Sequence, residues 1–332
     1  MSPRAQAQAS AVGEAASPLQ LESSEFGRER VGEIQRRRML AAMVEVAAER
    51  GAGNVTVADV VGRSGVSRRT FYEIFEDRED CFLAAFEESI ERAAQQVVPA
   101  YREQRQWNEG VRAALTQLLG LFEEDTRLGR LLVVEALGAG PRALERRRHV
   151  VECLSQAIQE GGRDARTGKR LSPLTAEGVV GAVLSVLHGQ LSAPSPRGLL
   201  DLVNPLMSII VLPYQGRAAA ERELGRKVAA RSVGESNRDG DPLRDLDMRL
   251  TYRTVRVLSA VATHPGGSNR VVATAAGVSD QGQISKLLAR LHGLGLIENA
   301  GGNLTRGEPN AWILTTRGWS VRDAISAPTE PA

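Results

Sequence analysis

A Gly-Val-Ser triplet occurs twice in the chain, and each copy separates two segments whose apolar spacing is that of short helices. The first copy is Gly65–Ser67 and the second is Gly277–Ser279. Glycine suits a turn with positive φ, valine fills the space between two helices, and serine caps the helix that follows. Each copy therefore predicts a helix-turn-helix, and two copies make nucleic-acid binding the leading interpretation.

The overall charge restricts where a nucleic acid can bind. The 332-residue chain has a formal net charge of only +2, so DNA binding must come from local basic patches. Nine arginines against six acidic residues lie between Arg28 and Phe75, and a similar small excess follows Pro242. Arginine and glycine are abundant while lysine is scarce, which is typical of a bacterial genome rich in G and C.

The sequence disfavours several other classes of protein. Cys81 and Cys153 cannot form a disulfide framework and no CxxC occurs, so we expect a reduced, cytoplasmic chain. We expect neither a secretory signal nor a membrane span, since the apolar runs are far shorter than about 20 residues. The scattered histidines and the lack of a nucleophile elbow, phosphate loop or dinucleotide motif predict no metal, no cofactor and no catalytic residue.

Composition and apolar spacing predict an all-α chain of two or three domains, with a small β-hairpin near its C-terminal end. We predict a disordered arm over residues 1–27, a first helix-turn-helix domain over 28–80 and a helical core over 81–216. A charged linker over 217–241 precedes a second helix-turn-helix domain with its hairpin over 242–326.

The first helix-turn-helix carries the most specific motif, VTVADVVGRSGVSRRTFYEIFEDREDCFLAAF. Thr56 and Asp59 have the spacing of a capping box, and Asp77 begins a polar start to the next helix. Over about residues 31–90 the segment closely resembles the DNA-binding head of the TetR/AcrR family, although Arg78 stands where lysine is usual. The resemblance implies a homodimeric transcription regulator that binds double-stranded DNA. Such a regulator is most often a repressor that responds to an effector and binds a palindromic operator.

The helix that starts at Ser67 is the candidate recognition helix. Phe71, Ile74 and Phe75 have the spacing of an inward face, so the residues between them should face outward. An arginine can bridge O6 and N7 of guanine, while hydroxyl groups and helix N-termini suit phosphates. The DNA-contact residues that we predict are Thr56, Ser67, Arg68, Arg69, Thr70, Tyr72 and Arg78.

The second unit resembles winged helix domains of the MarR-like type over about residues 243–325. Trp312 and Leu314 should lie in its core, while Asp280 and Glu298 are unfavourable near phosphate. Winged helices also serve as protein-interaction modules, so recruitment of a protein partner stays an alternative to DNA contact. The candidate DNA-contact residues of this second head are Gln281, Gln283, Ser285, Lys286 and Arg306.

The helical core offers a dimer interface and a candidate effector pocket. Apolar helices over about Thr175–Leu191 and Leu199–Tyr214 predict a four-helix contact between two copies. A small apolar effector is expected if the family resemblance extends to function, although plain core packing explains the same aliphatic residues. Rival interpretations are a ligand-independent DNA-binding protein that recruits a partner, and a helical enzyme with a vestigial head. The candidate pocket residues are Tyr101, Trp107, Phe122 and His188.

Overall fold

The computed structural model describes residues 18–164, 171–193, 198–226, 251–301 and 309–326. The chain divides into two compact units. One unit is Arg36–Asp239, and the other combines Met1–Gln35 with Gly240–Ala332. The unit boundary therefore falls inside the first helix, α1 (Pro18–Arg50).

The first unit begins with a small bundle of short helices. After α1 come a single helical turn at Ala52–Asn54, then α2 (Val57–Ser64), α3 (Arg68–Ile74) and α4 (Arg78–Arg102). Apolar side chains of these helices form one buried cluster, in which Phe71, Phe82 and Phe86 are among the largest fully buried residues. The cluster fixes α3 against α2 and α4, because Phe71 is the inward side chain at the centre of α3.

The helical core of the same unit continues from α4 and has its own apolar cluster. Leu119, Phe122, Leu187 and Met207 lie at the centre of this cluster. Short turns at Glu135–Leu137 and Leu200–Leu202 interrupt the helices. The helices are α5 (Trp107–Glu124), α6 (Thr126–Val133), α7 (Pro141–Asp164), α8 (Pro173–Leu191), α9 (Val203–Gln215) and α10 (Arg217–Leu224).

From residue 251 on, the described part of the second unit has three helices, a two-stranded antiparallel sheet and a final helix. Ile297 pairs with Leu314 and Asn299 with Trp312, and the apolar core includes Ile34 from α1. The sequence predicted this order of elements, including the hairpin and the buried Trp312. The elements are α11 (Tyr252–Thr263), α12 (Asn269–Ala275), α13 (Gln281–Gly293), β1 (Ile297–Asn299), β2 (Trp312–Leu314) and α14 (Thr316–Ser326).

Two helices extend into stretches where the sequence predicted no helix. Helix α1 already begins at Pro18, inside the stretch 1–27 that was expected to be disordered. The stretch expected to be a linker starts with α10, which packs on α9 because Ala219 and Ala220 are buried there. The remaining linker residues, 227–241, lie outside the described residues.

Candidate nucleic-acid interface

Local hydrogen bonds shape the turn between α2 and α3 as the sequence predicted. The Thr56 hydroxyl accepts a bond from the backbone N–H of Asp59, whose carboxylate accepts one from the Thr56 N–H at 3.0 Å, completing a capping box. Gly65 has φ of 65°, the left-handed conformation that glycine adopts without strain. Ser67 caps α3 by accepting a 3.0 Å bond from the Thr70 N–H. These contacts fix the N-terminus of α3.

Helix α3 presents a polar, basic face to solvent. The Arg68 side chain is exposed and makes no hydrogen bond or ion pair among the residues that the structure describes. The Arg69 side chain, 90% exposed, forms a 2.8 Å ion pair with Glu73 one turn later. Tyr72 is 60% exposed and packs edge to face on the buried Phe71 ring, so its hydroxyl end is free to reach a ligand.

Arg78 is hydrogen bonded within the domain, so its role as a phosphate ligand stays a prediction. Its guanidinium turns inward and donates to the backbone carbonyl oxygen of Ala52 and, at 2.8 Å, to that of Ala139. The arginine thus ties the start of α4 to the turn after α1 and to the loop before α7. Arginine suits this role because its planar fork can reach two acceptors at once.

Sequence reasoning missed a second charged connection to the same turn. The buried Glu135 carboxylate accepts a 2.8 Å bond from the Ala52 N–H and a 3.1 Å bond from Arg130. Arg130 also donates to the carbonyl oxygen of Leu191 at the end of α8, at 3.0 Å. Two charges inside the apolar run LGRLLVVEALGAG were the available signal, since buried charges are normally paired.

The second helix-turn-helix has the predicted turn but a different cap. Gly277 has φ of 60° and Val278 is buried, whereas Asp280 rather than Ser279 caps α13. The Asp280 carboxylate accepts hydrogen bonds from the backbone N–H groups of Gln283 and Gly282. Both bonds lower the pKa of this carboxylate, and the bond from Gln283 has the larger effect. A negative charge therefore stands at the N-terminus of α13, where DNA phosphates would otherwise bind.

The four described contact candidates of this second head are all exposed, and two of them are hydrogen bonded within the unit. Gln281 and Lys286 are exposed. Gln283 accepts a bond from Arg253, and Ser285 accepts one from Asn269 at 3.3 Å. Arg306 lies outside the described residues, so its position in the hairpin stays a prediction.

The four candidate pocket residues do not converge on one site. Tyr101 and Trp107 both lie against Gly161 of α7. Phe122 instead packs against Gly129 and Leu191 inside the core, and His188 is half-buried one turn before the end of α8. The aliphatic side chains of α6 are core residues, as the packing alternative predicted.

Titratable side chains elsewhere give no catalytic or metal constellation within the described ranges. No group of three or more His, Cys, Asp or Glu residues there could hold a metal ion. Burial raises the pKa of the Cys81 thiol to about 12, so this cysteine stays protonated and unreactive. Cys153 is exposed, with its sulfur 3.7 Å from Nε2 of His149.

One helix within the described ranges, α8, is long and apolar enough to cross a membrane by length and composition alone. That is a weak indication, because core helices of soluble proteins meet the same criterion. The expectation of no membrane span therefore stays a prediction.

Two short helices are joined by a glycine turn, and the second helix has a serine cap and exposed arginines. This arrangement is that of a helix-turn-helix DNA-binding domain. Residues 39–85 match the family described as bacterial regulatory proteins, tetR family. The chain thus carries a TetR-family N-terminal domain, as the motif around Gly65 predicted. Among curated proteins, no sequence matches the chain.

Several solved structures are similar to the chain over about half of its length. The fatty acid degradation regulator FadR from Bacillus halodurans has 19% identity and a TM-score of 0.47, covering 53% of this chain and 97% of its own. FadR from Bacillus subtilis, in complex with stearoyl-CoA, has 18% identity, the same coverage and a TM-score of 0.48. RolR in complex with resorcinol has 21% identity and a TM-score of 0.44, covering 61% and 99%. The match to the tetR family is limited to residues 39–85.

Proposed function

We propose that the protein is a transcriptional repressor that binds a palindromic operator as a homodimer and releases it when an effector binds the helical core. The observation that carries the proposal is the exposed face of α3, where Arg68 has no partner among the described residues and the Tyr72 ring projects into solvent. In a helix-turn-helix, residues of this face contact base edges and phosphates in the major groove.

The apolar helices α8 and α9 support the dimer. Gly178 and Gly181 of α8 are exposed, and a Cβ added at either would meet nothing within 4 Å. Leu174 of α8 and Leu212 of α9 are exposed apolar side chains. Small and apolar residues on an open helix face allow a second copy to pack closely. Two heads held about one helical turn of DNA apart, roughly 34 Å, would read both half-sites.

A second candidate function is favoured by the cap of α13. We propose that the second unit is a winged helix, and Asp280 favours a protein partner over a second DNA contact for it. The carboxylate stands where phosphates bind in DNA-reading helices, and two of the four described candidate contacts are already hydrogen bonded. In this alternative, the head on α3 selects the DNA and the winged helix recruits the partner.

A matched pair of arginine variants tests the proposal. Arg69 and Arg217 both form exposed ion pairs with a glutamate four residues later, at 2.8 and 2.7 Å. We expect Arg69→Ala to weaken operator binding by about 5- to 100-fold, the range of a lost base contact, and Arg217→Ala to leave it unchanged. Tyr72→Phe should weaken binding to all sequences alike. Equal affinities of wild type, Arg69→Ala and Tyr72→Phe at one salt concentration would remove α3 from the interface. Binding to a DNA fragment from upstream of the protein's own coding region supplies the operator for this measurement.

A further inference from the structure

Three polar groups of the helical core are buried and have no hydrogen-bond partner among the residues that the structure describes. They are the indole Nε1 of Trp107, the hydroxyl of Tyr214 and the hydroxyl of Ser155. An unpaired buried donor lowers stability, so proteins rarely keep one without a reason. A fourth unpaired atom, Nε of Arg130, differs because the other nitrogens of that guanidinium are bonded to Glu135 and Leu191.

The three unpaired groups lie in one part of the core. The rings of Trp107 and Tyr214 pack edge to face with their centroids 5.1 Å apart. Both rings lie directly against α7, because an added Cβ at Gly161 would overlap Trp107 and one at Gly162 would overlap Tyr214. Ser155 precedes Gly162 by two helical turns, so it lies on the same face of α7.

The surroundings indicate the kind of group that would satisfy these donors. Tyr214 is only 5% exposed, and burial raises the pKa of its phenol, so the hydroxyl keeps its proton. Trp107 joins the apolar cluster that contains Val111 and Val211. The half-buried guanidinium of Arg112 is already bonded to Glu223 and Asn204. An acceptor without charge suits this setting better than an anion, because the guanidinium of Arg112 is already paired.

We propose that Trp107, Tyr214 and Ser155 form the polar end of an effector site for an uncharged molecule with an apolar body and a carbonyl oxygen. Trp107 Nε1 and the Tyr214 hydroxyl donate to the two lone pairs of that oxygen, and the Ser155 hydroxyl bonds a more distant polar group. This inference rests on the proposed role of the core as an effector-binding domain. Phe122 and His188 have no part in the site.

A pair of probes that differ only in whether they carry a hydrogen-bond acceptor tests the inference. Acetophenone has a carbonyl oxygen where α-methylstyrene has a methylidene group, and the two molecules have nearly the same shape. We expect acetophenone to bind the full-length chain without DNA, measured by titration calorimetry, at least about tenfold more tightly than α-methylstyrene, as one hydrogen bond provides. Tyr214→Phe and Trp107→Phe should each remove most of this preference.

Tyr252→Phe is the matched control, because this half-buried tyrosine belongs to α11 of the second unit and not to the helical core. This variant should bind both probes as wild type does. Tyr214→Phe should also unfold at a higher temperature than wild type without a probe, since it loses an unsatisfied buried group. Circular dichroism shows whether each variant is folded, and Trp107→Phe provides the test if Tyr214→Phe is not.

Two results would overturn the inference. One is a failure of carbonyl recognition: acetophenone binds no more tightly than α-methylstyrene, or neither acetophenone nor the smaller ketone cyclohexanone binds. The other is a probe preference that survives in the folded Tyr214→Phe and Trp107→Phe chains. Operator binding without a probe is measured in parallel. If it is intact while the ketones fail to bind, only the effector site is wrong, whereas a loss of operator binding itself contradicts the proposed function.

Discussion

The backbone N–H of Ala52 donates a 2.8 Å hydrogen bond to the carboxylate of Glu135, which lies 83 residues later in the chain. The carbonyl oxygen of the same Ala52 accepts a bond from Arg78. One residue of the turn after α1 is thus held on both sides by charged groups, from the turn after α6 and from the start of α4. A movement of this turn relative to Glu135 and Arg78 would break the two hydrogen bonds unless both side chains moved with it.

Replacing Glu135 should destabilise the first unit strongly. Glu135→Ala leaves the partly buried Arg130 without a carboxylate and the Ala52 N–H without an acceptor. We expect the free energy of unfolding in urea to fall by about 3–5 kcal/mol, as when one partner of a buried pair is removed. Glu135→Gln keeps an acceptor and should lose less. Glu145→Ala breaks an exposed ion pair with Arg148 and should change little. Similar midpoints for Glu135→Ala and Glu145→Ala would contradict the role of Glu135.

Arg78 should affect stability rather than DNA contact. Arg78→Gln removes the bridge between the carbonyl groups of Ala52 and Ala139. We expect the free energy of unfolding to fall by about 1–3 kcal/mol. The salt dependence of operator binding should keep its slope, whereas loss of a phosphate contact would reduce that slope by about 0.9. A reduced slope with unchanged stability would show that Arg78 swings out to bind phosphate after all.

A charge at Gly181 should separate the two copies of the proposed dimer without unfolding either. Gly181→Arg has open space for the new side chain, and arginine is a better helix former than glycine. We expect a monomer in sedimentation at micromolar concentration and loss of operator binding, because paired half-sites need both heads. Gly120→Arg in α5, where an added Cβ also meets nothing within 4 Å, is the control and should stay dimeric. A monomeric wild type would defeat the prediction from the start.

Asp280→Asn distinguishes the two roles of the second unit. Asparagine caps a helix as well as aspartate does, so the fold of α13 should survive. If α13 contacts DNA, removal of the negative charge should tighten binding of the full-length chain severalfold at low salt. If the unit recruits a protein, DNA affinity should be the same for wild type and variant, which is the result that we expect. Asp323→Asn, an exposed carboxylate of α14, controls for the change in net charge.

The cap of α4 should make the stability of the head depend on pH in acid. A hydrogen bond from the Asp80 N–H, followed by the nearby Arg142, lowers the pKa of Asp77. A lowered pKa means that the ionised form favours the folded state, so this contribution is present above about pH 4 and is lost as the pH falls through the folded-state pKa. Thermal unfolding should show Asp77→Asn below wild type at pH 7, with the difference shrinking near pH 3. The same difference at both pH values would contradict this.

The accuracy of the sequence predictions follows the range of the interactions involved. The caps at Thr56 and Ser67 were predictable because their partners lie three residues away. The role of Arg78 was not, because its acceptors are carbonyl groups that only the folded chain brings near, one of them 61 residues away. The cap of α13 was predicted at Ser279 and lies at Asp280. Apolar spacing does not locate a helix boundary to within one residue.

Helix α10 was predicted as linker because its surface is charged. Its buried side consists of two alanines and Glu223, and the glutamate is matched by Arg112 of α5. Nothing local in the sequence indicates that match. The convergence of Trp107 and Tyr214 was hidden for the same reason, since two glycines of a third helix create the space for their rings.

Ile34 has a consequence for how the protein is made. Its side chain is buried among residues such as Val257 and Leu288, and Arg30 donates to the carbonyl oxygen of Ile325. A ribosome synthesises the two halves of this core some 220 residues apart in the chain. The unit formed by Arg36–Asp239 can fold while translation continues, but Ile34 waits exposed until the residues from Val257 to Ile325 have been made. A ribosome that stalls early would therefore leave an apolar stripe on α1 for a chaperone to cover.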